Sequence, residues 1–183
     1  MEITLFEIFT FFGSILGIVA FFISCITPIS EHNKLKWAEL SNIITPADID
    51  NYANQLNNGI LYTYMDDKMT NLIQSISQKK ECIYFKGNAG KKALKKLYEI
   101  KTNYNLISEK IGTPCWTPLG KHIAWKIDKD YFFQIYTDSS EAEKKMILQR
   151  RFITEKADEI MKLYKEVRAC LTQSPYEYLK FWQ

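Results

Sequence analysis

The stretch that decides this fold is residues 8–26, IFTFFGSILGIVAFFISCI, nineteen residues without a charged side chain. As a helix it would rise about 28 Å, close to the roughly 30 Å hydrocarbon core of a bilayer. Glu2 and Glu7 precede it and no basic residue does, whereas a cleaved signal peptide starts with basic residues. The sequence therefore predicts a transmembrane helix that is retained.

The charges that flank this helix predict its orientation. Acidic residues precede the span, and His32, Lys34 and Lys36 follow it, with Trp37 as a candidate interfacial ring. Because basic residues stay on the cytoplasmic side, we expect the N-terminus outside and the body inside the cell. The expected organisation is a membrane anchor over residues 1–30 and a cytoplasmic domain over residues 31–183.

One face of the span differs from the others, because it combines small, polar and aromatic residues. We call this face the seam; its members recur at spacings of three and four: Glu7, Thr10, Ser14, Gly17, Phe21 and Ser24. Gly13 and Gly17 also form a G-x-x-x-G pair, which lets two helix backbones approach closely. One interpretation is a packing seam for a dimer or small oligomer. The other is that several copies turn the seam toward a shared aqueous axis, where Phe21 forms an apolar constriction.

The body reads as a bundle of helices. Thr45-Pro46 followed by Asp48 predicts a capped helix that ends before Gly59, and apolar residues continue at helical spacing from Leu61 to about residue 78. A further helix is expected from residues 87–92 to the Gly112-Thr113-Pro114 stop, and another over residues 117–125. Residues 131–136 are ambiguous between helix and strand.

A long helix is expected near the end of the chain. Ser139, Ser140 and Glu143 suggest a capping box, and roughly 33 residues follow with one continuous apolar face. That face is formed by Ile153, Ala157, Ile160, Tyr164, Val167 and Leu171. Aromatic residues from Tyr176 to Trp182 then predict a short final turn that docks on the body or on a neighbouring subunit. The predicted fold is all-α, an anchored bundle with at least four cytoplasmic helices.

Residues 79–101 are strongly basic, with eight lysines against Glu81 and Glu99. Lys91, Lys92, Lys95 and Lys96 are the candidate contacts for RNA or for anionic headgroups. A solvated helix face is the alternative interpretation of the same lysines.

The residues needed for common site chemistry are sparse. Cys25, Cys82, Cys115 and Cys170 are far apart in sequence, and with two histidines they predict neither a metal site nor a disulfide framework. Residues 85–92 do not fit a Walker phosphate loop, which would need glycine in place of Phe85 and Ser/Thr in place of Lys92. We therefore expect no catalytic residue, no metal and no cofactor, and a protein that is not an enzyme.

The small size, the single N-terminal span, the Lys/Tyr/Ile/Asn-rich helical body and the long last helix together resemble one family over essentially the whole chain. It is the single-pass membrane accessory protein of type VI-B CRISPR systems, a Csx-type protein. The resemblance implies a bacterial inner-membrane protein whose soluble part is a divergent HEPN helical domain. It also implies an octamer-like, pore-like homo-oligomer that depolarises the membrane after the partner RNA-guided nuclease cuts its target RNA.

One departure from that family's wider fold bears on activity. HEPN ribonucleases carry an arginine followed, after four to six residues, by a histidine that transfers protons. The arginines of this chain are Arg150, Arg151 and Arg168, and no histidine follows any of them at that distance. A non-enzymatic membrane effector is therefore the leading hypothesis, and a membrane-tethered RNA-binding or RNA-cleaving protein is the alternative.

Overall fold

The computed structural model describes residues 5–120, 123–136 and 138–174, with side chains from residue 10 onward. Six α-helices and three short strands form this part of the chain. The helices are α1 (Leu5–Ile43), α2 (Pro46–Asn57), α3 (Thr63–Ser77), α4 (Gly87–Ile111), α5 (Lys129–Ile135) and α6 (Ser139–Leu171). The strands are β1 (Ile60–Tyr62), β2 (Trp116–Leu119) and β3 (Ala124–Ile127). The expected helical fold is confirmed, with a small sheet added to it.

α1 contains the predicted span and continues far beyond it. It has 39 residues and would be about 58 Å long. Pro28 lies inside it and lacks the N–H that would donate to the Ser24 carbonyl. The Thr27 hydroxyl donates to the Ile23 carbonyl, one turn earlier. The helix therefore runs through the proline into the body.

The second half of α1 is part of the core. Leu40 and Ile44, the latter directly after the helix, are 0% and 1% exposed. The Tyr164 hydroxyl donates to the Ile44 carbonyl at 2.6 Å. Trp37, which the sequence offered as an interfacial ring, instead packs against Tyr164 with ring centroids 5.3 Å apart.

α2 begins as its sequence predicts. The Thr45 side chain accepts from the Asp48 N–H at 3.1 Å, and the Asp48 carboxylate accepts from the Thr45 N–H at 2.9 Å. The predicted apolar face of α2 is buried. Gly59 follows with φ +72, a conformation that glycine adopts without strain. The chain then turns into β1, so Leu61 lies in a strand and the expected helical continuation starts only at Thr63.

A three-stranded antiparallel sheet replaces the helix expected over residues 117–125. Its strand order is β1-β3-β2, and Pro118 lies in the edge strand β2 opposite Trp125. An edge strand tolerates the missing proline N–H, so the Thr-Pro pair that suggested a helix start is also compatible with a strand. The ambiguous residues 131–136 lie largely in α5, where the Asp128 side chain accepts from the Asp130 and Tyr131 N–H groups.

α4 and α6 pack against each other along the core and form its most extensive helix pair. All six residues predicted for the apolar face of α6 are buried, and so is most of the α4 face. The length of α6, 33 residues, matches the prediction. Its N-cap does not, because Asp138 accepts from the Ser140 N–H in place of the box expected from Ser139, Ser140 and Glu143. The final turn expected after residue 174 lies outside the described residues.

The Asp48 carboxylate connects α2 to α3. Lys68 donates to Asp48 Oδ1 at 2.7 Å. Partial burial raises the pKa of Asp48, but the hydrogen bonds from Lys68 and Thr45 outweigh it and leave the pKa below its ordinary value. Because the folded-state pKa is the lower one, ionised Asp48 stabilises the fold above about pH 4, and this contribution is lost as the pH falls through the folded-state pKa.

The first prediction concerns this carboxylate. Asp48→Asn should lower the free energy of unfolding at neutral pH by about 1 kcal/mol, because the cap and the Lys68 pair are weakened. It should also flatten the loss of stability below about pH 4. Denaturant unfolding at several pH values measures both effects. Glu109→Gln, at an exposed carboxylate on α4, is the control. Identical pH profiles for the two variants would contradict the assignment.

Candidate membrane-spanning and self-association surface

The first half of α1 extends away from the body with its side chains exposed. Large apolar residues cover it on several faces: Phe11, Phe12, Ile15, Leu16, Ile18, Val19, Phe21 and Phe22. None of its most apolar window is buried against the protein. Among the described residues this is the one helix long and apolar enough to cross a membrane. Exposed apolar surface of this extent marks a contact with lipid or with another protein.

The seam residues from Thr10 to Ser24 lie on one side of this exposed half, because α1 is helical throughout. Glu7 lies in the same helix, and its side chain is outside the described part. The Ser14 hydroxyl donates to the Thr10 carbonyl at 2.8 Å, and the Ser24 hydroxyl donates to the Phe21 carbonyl at 2.7 Å. Each hydroxyl proton thus has a partner within the helix, as hydrocarbon requires. These serines keep oxygen lone pairs with which to accept from a neighbour.

Gly17 of the seam and Gly13 next to it leave open space beside the helix. A Cβ added at Gly13 or Gly17 would meet no atom within 4 Å. Neither glycine is therefore needed for packing within the chain. Phe21 projects from the same side with 65% of its surface exposed, and its ring meets only the edge of Phe22 among the aromatic pairs of the span. The open space at the glycines forms a shallow groove, and the Phe21 ring projects beside it.

The exposed half is joined to the body by polar contacts at the point where it ends. Ser30 and Asn33 are fully buried. The Asn33 amide donates to the Lys86 carbonyl at 3.0 Å and accepts from the Lys86 N–H at 2.8 Å. The Ser30 hydroxyl donates to the Gln173 carbonyl at 2.8 Å, and His32 Nε2 donates to the Tyr84 carbonyl at 2.7 Å. Sequence analysis missed this junction, because isolated polar residues in a helix carry no signal for such long-range partners.

An ion pair lies one turn further along α1. Lys36 is 5% exposed and donates to Glu39 at 2.8 Å and to Glu81 at 3.5 Å. The hydrogen bond with Glu39 raises the pKa of Lys36, and burial opposes it. The sequence presented Lys36 only as a flanking positive charge, whereas the structure gives it carboxylate partners from two elements.

The four candidate lysines of α4 have different surroundings. Lys96 forms an ion pair with Glu166 of α6, which raises the pKa of Lys96 and lowers that of Glu166. Lys95 lies 4.0 Å from Glu99 on its own helix. Lys91 and Lys92 are exposed near the start of α4. The structure therefore does not converge the four lysines on one ligand, since Lys96 is engaged within the body.

The glycine-rich segment at the start of α4 has a packing role. Gly87 has φ +69, and a Cβ there would lie 3.3 Å from Ile29 of α1. A Cβ at Gly90 would lie 2.6 Å from Phe85, too close to be accommodated without movement. The two glycines therefore let the start of α4 approach α1 and Phe85. This packing role accounts for the glycine-rich sequence, and no bound nucleotide is needed to explain it.

The four cysteines form no disulfide bond. All four cysteines are free, with Cys25 exposed on the span and the other three partly buried. Burial raises the pKa of the Cys82 and Cys170 thiols. Within the described ranges no group of three or more His, Cys, Asp or Glu side chains could hold a metal ion. His122 lies outside the described residues.

Comparison with known proteins gives no relative. The chain matches no protein-family model, no curated protein and no solved structure.

The second prediction concerns the junction between the span and the body. Asn33→Ala removes both hydrogen bonds to Lys86 and leaves the partly buried Lys86 N–H without its side-chain partner, so the free energy of unfolding should fall by about 1 kcal/mol. Hydrogen exchange at the Lys86 amide should accelerate. Thermal unfolding and hydrogen exchange in detergent measure these effects. Asn42→Ala, at an exposed asparagine of the same helix, is the control. Equal stability of the two variants would refute this role for Asn33.

Proposed function

We propose that this protein is a membrane-embedded effector that assembles through its N-terminal helices into a ring-shaped homo-oligomer and lets ions cross the membrane. The body remains in the cytoplasm, and the ring sits in the bacterial inner membrane. No chemical step is assigned to it. The observation that carries the proposal is the bare apolar half of α1, which continues without a break into a helix buried in the body.

The exposed half of α1 supports insertion. Residues 5–29 would extend about 37 Å, enough to cross a hydrocarbon core of roughly 30 Å. The apolar side chains on this segment are unfavourable in water and favourable in lipid. The Ser14 and Ser24 hydroxyls donate within the helix, so they bring no unsatisfied hydrogen-bond donor into the lipid. The basic residues that follow the span would lie on the cytoplasmic side, as the positive-inside rule expects.

The seam supports self-association. Lipid offers no hydrophobic force between helices, so close packing at small residues and hydrogen bonds drive their association. The open space beside Gly13 and Gly17 permits such packing. A single helix cannot enclose water, so ion flow requires several copies around one axis. In that arrangement Glu7, Thr10, Ser14 and Ser24 would face the axis, and Phe21 would narrow it.

The biological setting follows from the resemblance to the type VI-B CRISPR accessory proteins. We propose that the body is a divergent HEPN-like helical domain kept for assembly. In this setting the ring depolarises the membrane after the partner RNA-guided nuclease has cut its target RNA. The continuous α1 supports a mechanical link, because a movement of α4 or α6 would be transmitted to the span through the buried junction.

The third prediction tests assembly. Gly17→Leu places a bulky side chain in the seam, where the single chain has room for it, so folding should persist while association weakens on the order of tenfold. Cross-linking and light scattering of detergent-solubilised protein give the fraction of oligomer. Val19→Leu, which adds bulk on the opposite side of the helix, is the control. If Gly17→Leu forms as large a fraction of oligomer as the wild type, the seam does not mediate association.

The fourth prediction tests ion flow. Phe21→Ala should increase leak on the order of tenfold, because it removes the apolar constriction. Ion flux from vesicles that contain the purified protein measures the leak, and a voltage-sensitive dye measures depolarisation in cells that carry the partner nuclease. Phe12→Ala is the matched control, since Phe12 lies about 180° around the helix from Phe21. Equal flux from the two variants, or no flux from any variant, would contradict the pore.

A further inference from the structure

We propose that the lysines between α3 and the second turn of α4 bind anionic phospholipid headgroups. We call this group the collar: Lys79, Lys80, Lys86, Lys91 and Lys92. The proposal rests on the proposed insertion of α1 and goes beyond it, because it assigns a ligand class to the basic segment.

The junction contacts place Lys86 and the start of α4 beside the end of the span. Gly87 approaches Ile29, and Asn33 holds both backbone groups of Lys86. If the hydrocarbon ends near residue 26, Ile29 lies about 5 Å and Asn33 about 10 Å beyond it along the helix. The headgroup layer is roughly 5–8 Å thick on each side of the bilayer. Gly87 therefore lies within the headgroup layer, and Lys86, which is level with Asn33, lies just outside it.

The collar carries an excess of positive charge. Within residues 79–92 five lysines accompany one acid, Glu81, whose carboxylate contacts Lys36. All five lysines are exposed, and Lys79, Lys80, Lys86 and Lys91 have no carboxylate within ion-pair distance in the described structure. On the adjacent turns of α1, Lys34 and Lys36 are balanced by Glu31 and Glu39. Potential from these charges extends about 8–10 Å, which spans the whole headgroup layer.

Two further features of the segment suit a lipid surface. Tyr84 lies between the lysines with 57% of its surface exposed, and tyrosine is enriched where protein meets the membrane interface. α4 starts here with no acidic residue in its first turn and no side-chain cap, so the positive end of its dipole adds to the lysine charges.

The position of the collar favours lipid over RNA. An RNA chain would have to occupy the layer between the body and the bilayer, where headgroups already surround the span. Sequence-tolerant RNA binding uses several aromatic stacking surfaces beside the charges. Tyr84 is the exposed aromatic residue of the collar segment, and Phe85 is partly buried against Gly90. The lysines act as point charges without the planar fork of arginine.

The experiment compares lipids retained by the full-length protein. Wild-type protein is reconstituted in nanodiscs of phosphatidylcholine mixed with phosphatidylglycerol, extracted in mild detergent, and analysed for bound lipid by native mass spectrometry. We expect phosphatidylglycerol to be enriched over phosphatidylcholine, and high salt to reduce the enrichment. The double variant Lys86→Glu/Lys91→Glu should lose the enrichment about tenfold or more.

The matched control is Lys144→Glu/Lys145→Glu, which makes the same charge change at exposed positions in the first turns of α6. If this control keeps the phosphatidylglycerol enrichment, the result supports lipid binding by the collar. If both double variants lose the enrichment equally, or if the wild type retains the two lipids equally, the proposal is overturned. A collar variant that loses binding of labelled RNA but keeps lipid enrichment also overturns it. Alkaline extraction of membranes tests insertion separately, so a failure of the collar is distinguished from a failure of the span.

Discussion

The fold depends on the paired hydrogen bonds between the Asn33 side chain and the backbone of Lys86, because they fix a membrane-length helix to the body at one height. An amide buried in this way must be matched by a donor and an acceptor, and the turn before α4 supplies both. Leu40 and Ile44 then bury the rest of the helix face. The exposed half of α1 is consequently a direct continuation of a helix that is buried in the core.

This constraint explains features that otherwise resemble a ligand site. Gly87 and Gly90 are glycines because the start of α4 must approach Ile29 and Phe85. Lys36 is buried because Glu39 and Glu81 meet it where α1 passes the turn after α3. Lys96 is held by Glu166 because α4 and α6 pack along their length. Part of the basic segment is thus structural, whereas Lys86, whose side chain stays exposed, lies at the junction.

The sequence was sufficient wherever a periodic pattern and a local end signal agreed. The long apolar N-terminal helix, the capping box at Thr45 and the apolar face of α6 are of this kind, because each depends on residues three or four apart. The small sheet was missed, since strands of three and four residues have too few positions to show alternation and Thr117-Pro118 imitates a helix start. The junction at Asn33 was missed because its partner is 53 positions away.

The account's central claim is that the exposed half of α1 lies in the bilayer and meets its own copies along the seam. Particle images of the intact protein in lipid nanodiscs test this claim most directly. We expect a closed ring of subunits whose N-terminal helices surround a central axis, with Gly17 and Phe21 turned toward it or toward the neighbouring helix. Single copies, or rings joined through the bodies with the N-terminal helices apart, would contradict the claim.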